Sequence, residues 1–229
     1  MVALEFFSQV PLFKCLGVDD RRHLFSACRR ISLKKGEILF RKGSEGTTLY
    51  VIRSGKIKIS VTSSMGDEVV LAIFSEGDYF GEMALLDGLP RSADATAIEP
   101  SEVLALNQSD FTAFLQNNAA AVQAVLRALS LRLRKTDDLL EDTCFLNISA
   151  RFAKKLVELT ELHGEPAEDA IQIGICFSQR ELAGMIGASR ESINRELRML
   201  KEKGLVTFSD NKVYIHNLER LKNRVRRFR

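Results

Sequence analysis

The chain has 229 residues, room for one large domain or two of ordinary size. Hydrophobic residues make up 45% and charged residues 28%, which supplies a core and a polar surface and excludes a disordered protein. Net charge is only +3, but from Ser149 to Arg229 there are 16 Lys+Arg against 11 Asp+Glu, so the C-terminal third is the part suited to a polyanionic partner. No run approaches the ~18 consecutive apolar residues of a membrane span. The N-terminus lacks the basic and apolar regions of a signal peptide. The expectation is a cytoplasmic protein with no membrane partner. Cys15, Cys28, Cys144 and Cys176 form no C-x-x-C pair, and His23, His163 and His216 are equally dispersed. This predicts reduced thiols and no metal site.

The first 30 residues read as a short helical cap. From about Ile31 to Leu106 short β-type runs follow one another, at 38–40, 49–52, 56–61, 68–74 and 93–98. Glycines at 43, 46, 55, 66, 77, 81 and 88 punctuate them, the pattern of an antiparallel sandwich or barrel. Residues 56–61 alternate polar and apolar, which predicts a half-buried strand.

From Ser109 to about Phe145 the period becomes helical. Ala119, Val122, Leu126, Leu129, Leu133, Thr136, Leu140 and Thr143 are spaced alternately by 3 and 4, with no Gly or Pro among them. Such an a/d seam, flanked by Arg127, Arg132, Arg134, Asp138 and Glu141, suits a parallel two-helix interface. The reading is a two-fold dimer through Val122, Leu126, Leu129, Leu133 and Leu140. A helix packed on its own domain is the alternative.

Ala150 to His163 is amphipathic, and Gly164-Glu165-Pro166 ends it. Ser178-Gln179-Arg180-Glu181 is a capping box that starts a helix, which stops at Gly187. Ser189 caps a second helix running from Arg190 to about Lys203. Two helices joined by a Gly-containing turn predict a helix-turn-helix. Residues 205–208 and 212–215, around Ser209-Asp210-Asn211, read as a wing hairpin. In the second helix Ile193, Leu197 and Leu200 share a face, while Glu191, Arg195 and Arg198 point away and Arg190 and Asn194 flank it. Arg suits guanine O6/N7 and Glu suits cytosine N4 in a major groove. A merely solvated face has the same residue types.

Residues 77–93 place Glu82, Arg91 and Ser92 within eleven residues. An Arg with a hydroxyl and backbone N–H groups can hold a monoanionic phosphate, Gly81 permits close approach, and Glu82 can accept from a sugar hydroxyl. A surface turn carrying a Glu–Arg ion pair would look alike.

Phe80-Gly81-Glu82 followed by Arg91-Ser92-Ala93 resembles the phosphate-binding cassette of cyclic-nucleotide-binding domains. With residues 46–55 and Ser189-Arg190-Glu191-Ser192-Ile193-Asn194-Arg195, the chain from about 5 to 220 resembles the CRP/FNR family of bacterial transcription regulators, in its cyclic AMP receptor subtype. The resemblance implies an α+β protein. Its parts would be a β-roll with helical cap at 1–108, a dimerisation helix at 109–145 and a winged helix-turn-helix at 146–229. It implies that Glu82 holds the ribose 2′-hydroxyl, and that Arg91 and Ser92, with Gly81 and Met83, line the phosphate site. Thr136 and the partner's position 137 would reach the base. Family members that bind cyclic AMP usually carry a small hydroxyl or amide there, and Asp137 departs from that. Asp can accept from the adenine amino group or equally from a guanine's donors, so cyclic GMP stays open beside cyclic AMP. Ser178, Gln179, Ser189, Arg190, Glu191, Asn194 and Arg195 would face DNA. Partners would be a palindrome of TGTGA-like half-sites, a second copy and RNA polymerase.

The implied mechanism is that ligand near Thr136 fixes helix packing and reorients two recognition helices about a hinge at Phe145-Leu146-Asn147. The same architecture could answer to cyclic di-GMP, haem or no effector. An enzyme is the reading from another class. The chain has no Walker loop, no Ser/His/Asp spacing and no metal cluster to support one. A scaffold protein would leave the Arg190/Glu191/Arg195 face unexplained.

Overall fold

The computed structural model describes residues 2–14 and 16–226; Cys15, one of the four dispersed cysteines, lies outside them. The chain divides into two compact units. One holds the chain up to Val61 together with Leu71–Arg134, and the other holds Thr62–Val70 and the chain from Lys135.

The first unit opens with α1 (Val2–Gln9) and α2 (Val18–Ala27), in keeping with the expected helical cap. Eight strands follow: β1 (Arg29–Leu33), β2 (Ile38–Phe40), β3 (Thr48–Ser54), β4 (Ile57–Thr62), β5 (Glu68–Phe74), β6 (Tyr79–Phe80), β7 (Asp94–Ala97) and β8 (Ser101–Asn107). A short α3 (Glu82–Asp87) is set between β6 and β7, and α4 (Gln108–Asn117) comes after β8. The strands form two four-stranded sheets, ordered β1-β8-β3-β6 and β2-β7-β4-β5. Ile52, Phe80 and Val103 of the first sheet meet Ile57, Ala95 and Ala97 of the second in one core. The other face of the first sheet, with Leu49, Val51, Leu104 and Leu106, is covered by Phe7, Phe111 and Val125 from the helices and by Phe13 from the turn between α1 and α2. Phe7 and Phe13 stack there at 4.5 Å between ring centroids. The first sheet is thus buried on both sides, which is why β8 carries a continuous apolar run with no alternation.

The expected half-buried character of β4 is corrected. Lys58 and Ser60 are buried along with Ile57. The strand lies inside its sheet between β7 and β5, so its polar face is shielded by its neighbours. The single helix expected from residue 109 is also corrected, to α4 and α5 (Ala119–Phe145). Asn118 separates them with a non-helical backbone at φ −138° and ψ 88°.

The second unit holds α6 (Ile148–His163), β9 (Gly164–Ala167), β10 (Ala170–Ile173), α7 (Gln179–Gly184), α8 (Arg190–Glu202), β11 (Val206–Ser209), β12 (Lys212–Ile215) and α9 (Leu218–Arg226). Its strands pair in the order β11-β12-β10-β9. Gly164-Glu165-Pro166 does end α6, but it then continues as β9, an edge strand where a proline costs no ladder bond. The Ser178 capping box is formed in both directions. α7 stops at Gly184, earlier than expected, and a turn through Gly187 at φ +60° leads to Ser189, which caps α8. The β11–β12 hairpin turns on Asp210 and Asn211 at φ 53° and 61°, the left-handed pair that a two-residue hairpin loop requires. Among the described residues no helix is long and apolar enough to cross a membrane. None of their His, Cys, Asp and Glu side chains gather in a group of three or more that could hold a metal ion.

Candidate functional site

Gly81 links β6 to α3 in the left-handed region, at φ 86° and ψ 4°. A Cβ there would stand 2.6 Å from Arg91 Nη1 and 3.1 Å from the Thr48 carbonyl oxygen. A Cβ on Gly46 would stand 2.4 Å from that of Ala84 and 3.0 Å from Arg91 Nε. Two glycines therefore make room for one arginine, and conformation as well as space demands glycine at 81.

Arg91 is 5% exposed. It donates through Nη1 to the Gly81 carbonyl and through Nη2 to the Thr48 carbonyl, both at 2.8 Å. Its guanidinium carbon lies 4.3 Å from the Phe40 ring centroid and 5.5 Å from that of Tyr50. Burial pulls its pKa below the ordinary arginine value, against the opposing influence of Tyr50 and Glu82. Its Nε has no hydrogen-bond partner.

Glu82, the first residue of α3, is 1% exposed. Its Oε1 pairs with Arg132 of α5, whose other Nη donates to the Tyr79 carbonyl. The Arg132 guanidinium also lies over Phe74 and Tyr79, at 4.6 and 5.3 Å from their centroids. Glu82 Oε2 and the Tyr79 hydroxyl are buried without partners. Burial, reinforced by the Glu82 charge and only partly offset by Arg132, pushes the Tyr79 hydroxyl up to about 12. Ser92 and Met83 are exposed next to this buried layer, the Ser92 hydroxyl 3.7 Å from the Met83 sulfur.

These placements replace the picture of a surface turn, because both charged groups are buried and the carboxylate pairs with Arg132 rather than with Arg91. Gly81, Glu82, Met83, Arg91 and Ser92 come together. Orphaned buried atoms, an acceptor on Glu82 and a donor on Arg91, suit a ligand that offers both a hydroxyl and an anion. Thr136 and Asp137 are exposed on the part of α5 that belongs to the second unit. Sequence reasoning missed Arg132, which it counted among the flanking charges. The signal was present: Arg132 continues the stripe Ala121, Val125, Ala128 by which α5 faces its own core.

The seam of α5 is apolar and uncovered within the chain, with Leu126, Leu133 and Leu140 at 58%, 63% and 64% exposure and Val122 also exposed. Leu129 is half-buried because it packs on the core as well.

In the second unit α8 buries Ile193, Leu197 and Leu200 and exposes Arg190, Glu191, Arg195 and Arg198. Arg190 Nε is 3.5 Å from the Gln179 side-chain oxygen, which places these two groups side by side. The Ser178 and Ser189 hydroxyls accept from the backbone N–H groups of Glu181 and Ser192. Asn194 is half-buried, and its side-chain oxygen is buried without a partner, so this side chain turns toward the protein body. Arg180, absent from the expected set, donates to the Gly66 carbonyl in the β4–β5 hairpin. That hairpin comes so close that a Cβ on Gly184 would meet the Glu68 carbonyl at 2.8 Å.

Comparison with known proteins agrees with both halves. Residues 30–118 match the cyclic nucleotide-binding domain and residues 150–224 the Crp-like helix-turn-helix domain. The CRP-like cAMP-activated global transcriptional regulator of Mycobacterium tuberculosis is 31% identical over 222 residues, 97% of this chain and 99% of that protein. The cyclic AMP receptor protein of Thermus thermophilus is 33% identical over 207 residues, 90% of this chain and 92% of that one. The solved structure of the c-di-GMP-responsive global regulator CLP of Xanthomonas campestris, at 24% identity, superposes with a TM-score of 0.78 over 88% of this chain and 100% of its own. The chain belongs to the CRP/FNR family: it is a DNA-binding transcription regulator that carries a cyclic-nucleotide-binding domain.

Proposed function

We propose that the protein is a homodimeric regulator switched by cyclic AMP, acting in the cytoplasm on palindromic DNA with TGTGA-like half-sites and on RNA polymerase. The observation that carries this is the buried pair Glu82 and Arg91 around Gly81, each with an atom that has no partner. Cyclic AMP supplies a monoanionic phosphate and a free 2′-hydroxyl. Arg91 has five N–H donors, and its Nε has no partner while Nη1 and Nη2 reach the Gly81 and Thr48 carbonyls, so a donor remains for the phosphate, with Ser92, Met83 and the Gly81 backbone at its edge. Glu82 Oε2 accepts from the hydroxyl while Arg132 holds Oε1. Thr136 and Asp137 are assigned to the base.

The division of labour is 1–108 for effector binding, 109–145 for dimerisation and 146–229 for DNA. Val122, Leu126, Leu129, Leu133 and Leu140 meet their copies in the second chain. Arg190, Glu191 and Arg195 read base edges. Gln179 lies beside them, and Ser178 and Ser189 cap the helices that hold them. The half-buried Asn194 is the residue of this set least placed to reach a base.

The test is fluorescence anisotropy on a duplex with inverted TGTGA half-sites, at fixed salt, with no nucleotide, cyclic AMP or cyclic GMP. Tighter binding with cyclic AMP alone is expected. Equal affinity in all three conditions overturns the switch. A second reading rests on Asp137, an acceptor-only side chain that suits a guanine's donors; tighter binding with cyclic GMP favours it.

A further inference from the structure

The C-terminal helix α9 has no role in the reading above. It packs on α6 with Leu221 fully buried, and Lys222 Nζ pairs with Glu161 at 3.0 Å. Two residues further on, Arg224 points its guanidinium between two other helices. Nε donates to the Ser149 hydroxyl at 3.1 Å, and Nη2 bonds the same hydroxyl. Nη2 also lies 3.2 Å from the Met199 sulfur and 3.8 Å from Glu196 Oε2. The Ser149 hydroxyl in turn donates to Glu196 Oε2 at 2.9 Å. Ser149 is the second residue of α6, two residues after the Asn147 cap, while Glu196 and Met199 are on α8. The Arg224 and Glu196 side chains are both about four-fifths buried.

On α8 the buried stripe Ile193/Leu197/Leu200 is entirely apolar. Apolar packing is non-directional and fixes rotation about the helix axis poorly. Glu196 and Met199 lie on one flank of that stripe, between it and Arg195. A clamp on this flank fixes the rotation. At the ~5–6 Å outer radius of a helix, a turn of about 20° moves a side-chain tip by ~2 Å. That is enough to break a bidentate contact with a base edge, which sites tolerate only within about 0.5 Å and 10–20°.

We propose that Arg224 is a positioning residue for DNA reading. Together with Ser149 and Glu196 it locks α8 against the start of α6, so that α9 belongs to the specificity apparatus without touching bases. The proposal rests on α8 being the recognition helix.

The experiment uses the full-length protein and compares affinity for the inverted TGTGA duplex with affinity for a scrambled duplex across a salt series. Arg224→Ala is expected to cut the specific-to-scrambled ratio about tenfold while leaving scrambled-duplex affinity and the salt slope unchanged. Ser149→Ala, which removes only the bridging hydroxyl, is expected to lower the ratio severalfold. It carries the test should Arg224→Ala fail to fold. The double variant is expected to be no worse than Arg224→Ala alone. A slope reduced by about 0.9 in Arg224→Ala would mark a direct phosphate contact and overturn the clamp. So would an unchanged ratio in both variants while Arg195→Ala abolishes it. An unchanged ratio in Arg195→Ala overturns the reading of α8, and the clamp with it.

Discussion

A carboxylate at 1% exposure persists only because something compensates its lost hydration, and for Glu82 that partner is Arg132. Arg132 is itself held by the Tyr79 carbonyl and two aromatic faces, so its position does not depend on the ion pair alone. Arg132→Ala leaves Glu82 buried with neither oxygen paired and should cost about 3 kcal/mol of stability, the usual result of removing one partner of a buried pair. Urea unfolding of the two proteins measures it; a loss under about 0.5 kcal/mol, the range of an ordinary surface change, would mean that water reaches the site. Cys28 offers a second residue-scale test. Burial first, and then the Asp110 charge, push its thiol up to about 12. The folded value lies above the unfolded one, so the neutral thiol contributes stability that is complete below the unfolded pKa. That contribution is lost as pH rises toward 12. At pH 8 iodoacetamide should therefore label the exposed Cys144 and Cys176 in minutes and leave Cys28 unlabelled until the protein is unfolded, as peptide mass spectrometry would show.

Helix α5 serves two faces at once, and they are unequally legible. One stripe, Ala121, Val125, Ala128 and Arg132, faces its own unit; the other, Val122, Leu126, Leu133 and Leu140, is bare. Leu133→Glu puts a charge at the centre of the bare stripe. It should convert a dimer to a monomer of 25.7 kDa in light scattering without lowering the melting temperature of the isolated fold. An unchanged dimer mass would place the interface elsewhere. The bare stripe could be read from the sequence because apolar residues at a and d positions leave a period. The domain-facing stripe is fainter, because its members are two alanines, one valine and an arginine that looks like any solvated flank. Tertiary burial alone gives Arg132 its role. Strand β8 hides for a related reason: covered on both faces, it has no alternation to detect. Strand β9 hides because Gly164 and Pro166 are helix-stop residues and an edge strand equally well. The cassette around Gly81 was readable because a glycine at φ 86° and a buried Arg91 both constrain residue identity locally. The exposed face of α8 was readable except at Asn194, whose place on the flank of α8 depends on what packs beside it.

Glu82, Arg91 and Ser92 lie in one unit, and Thr136, Asp137 and the exposed cationic helix α8 in the other. A single covalent element, α5 from Ala119 to Phe145, runs through the boundary between residues 134 and 135 without a Gly or Pro. One continuous helix thus contributes residues to both units, and it is the element on which the proposed coupling would act. Thermodynamics then fixes what must be seen. If cyclic AMP strengthens DNA binding by some factor, DNA strengthens cyclic AMP binding by that same factor, because both paths lead to one ternary complex. A factor of roughly 5–150, or about 1–3 kcal/mol, is the usual range for such coupling. The measurement is calorimetric titration of cyclic AMP into the protein with and without saturating duplex, set against duplex anisotropy with and without cyclic AMP, all at one salt concentration. Two equal factors above unity make the nucleotide an allosteric switch. Two factors of one, with cyclic AMP still bound at Arg91, would make the first unit a nucleotide-binding module uncoupled from DNA. Unequal factors would show that a third equilibrium, dimerisation first of all, had been left out of the account, and repeating both titrations at several protein concentrations would bring them together.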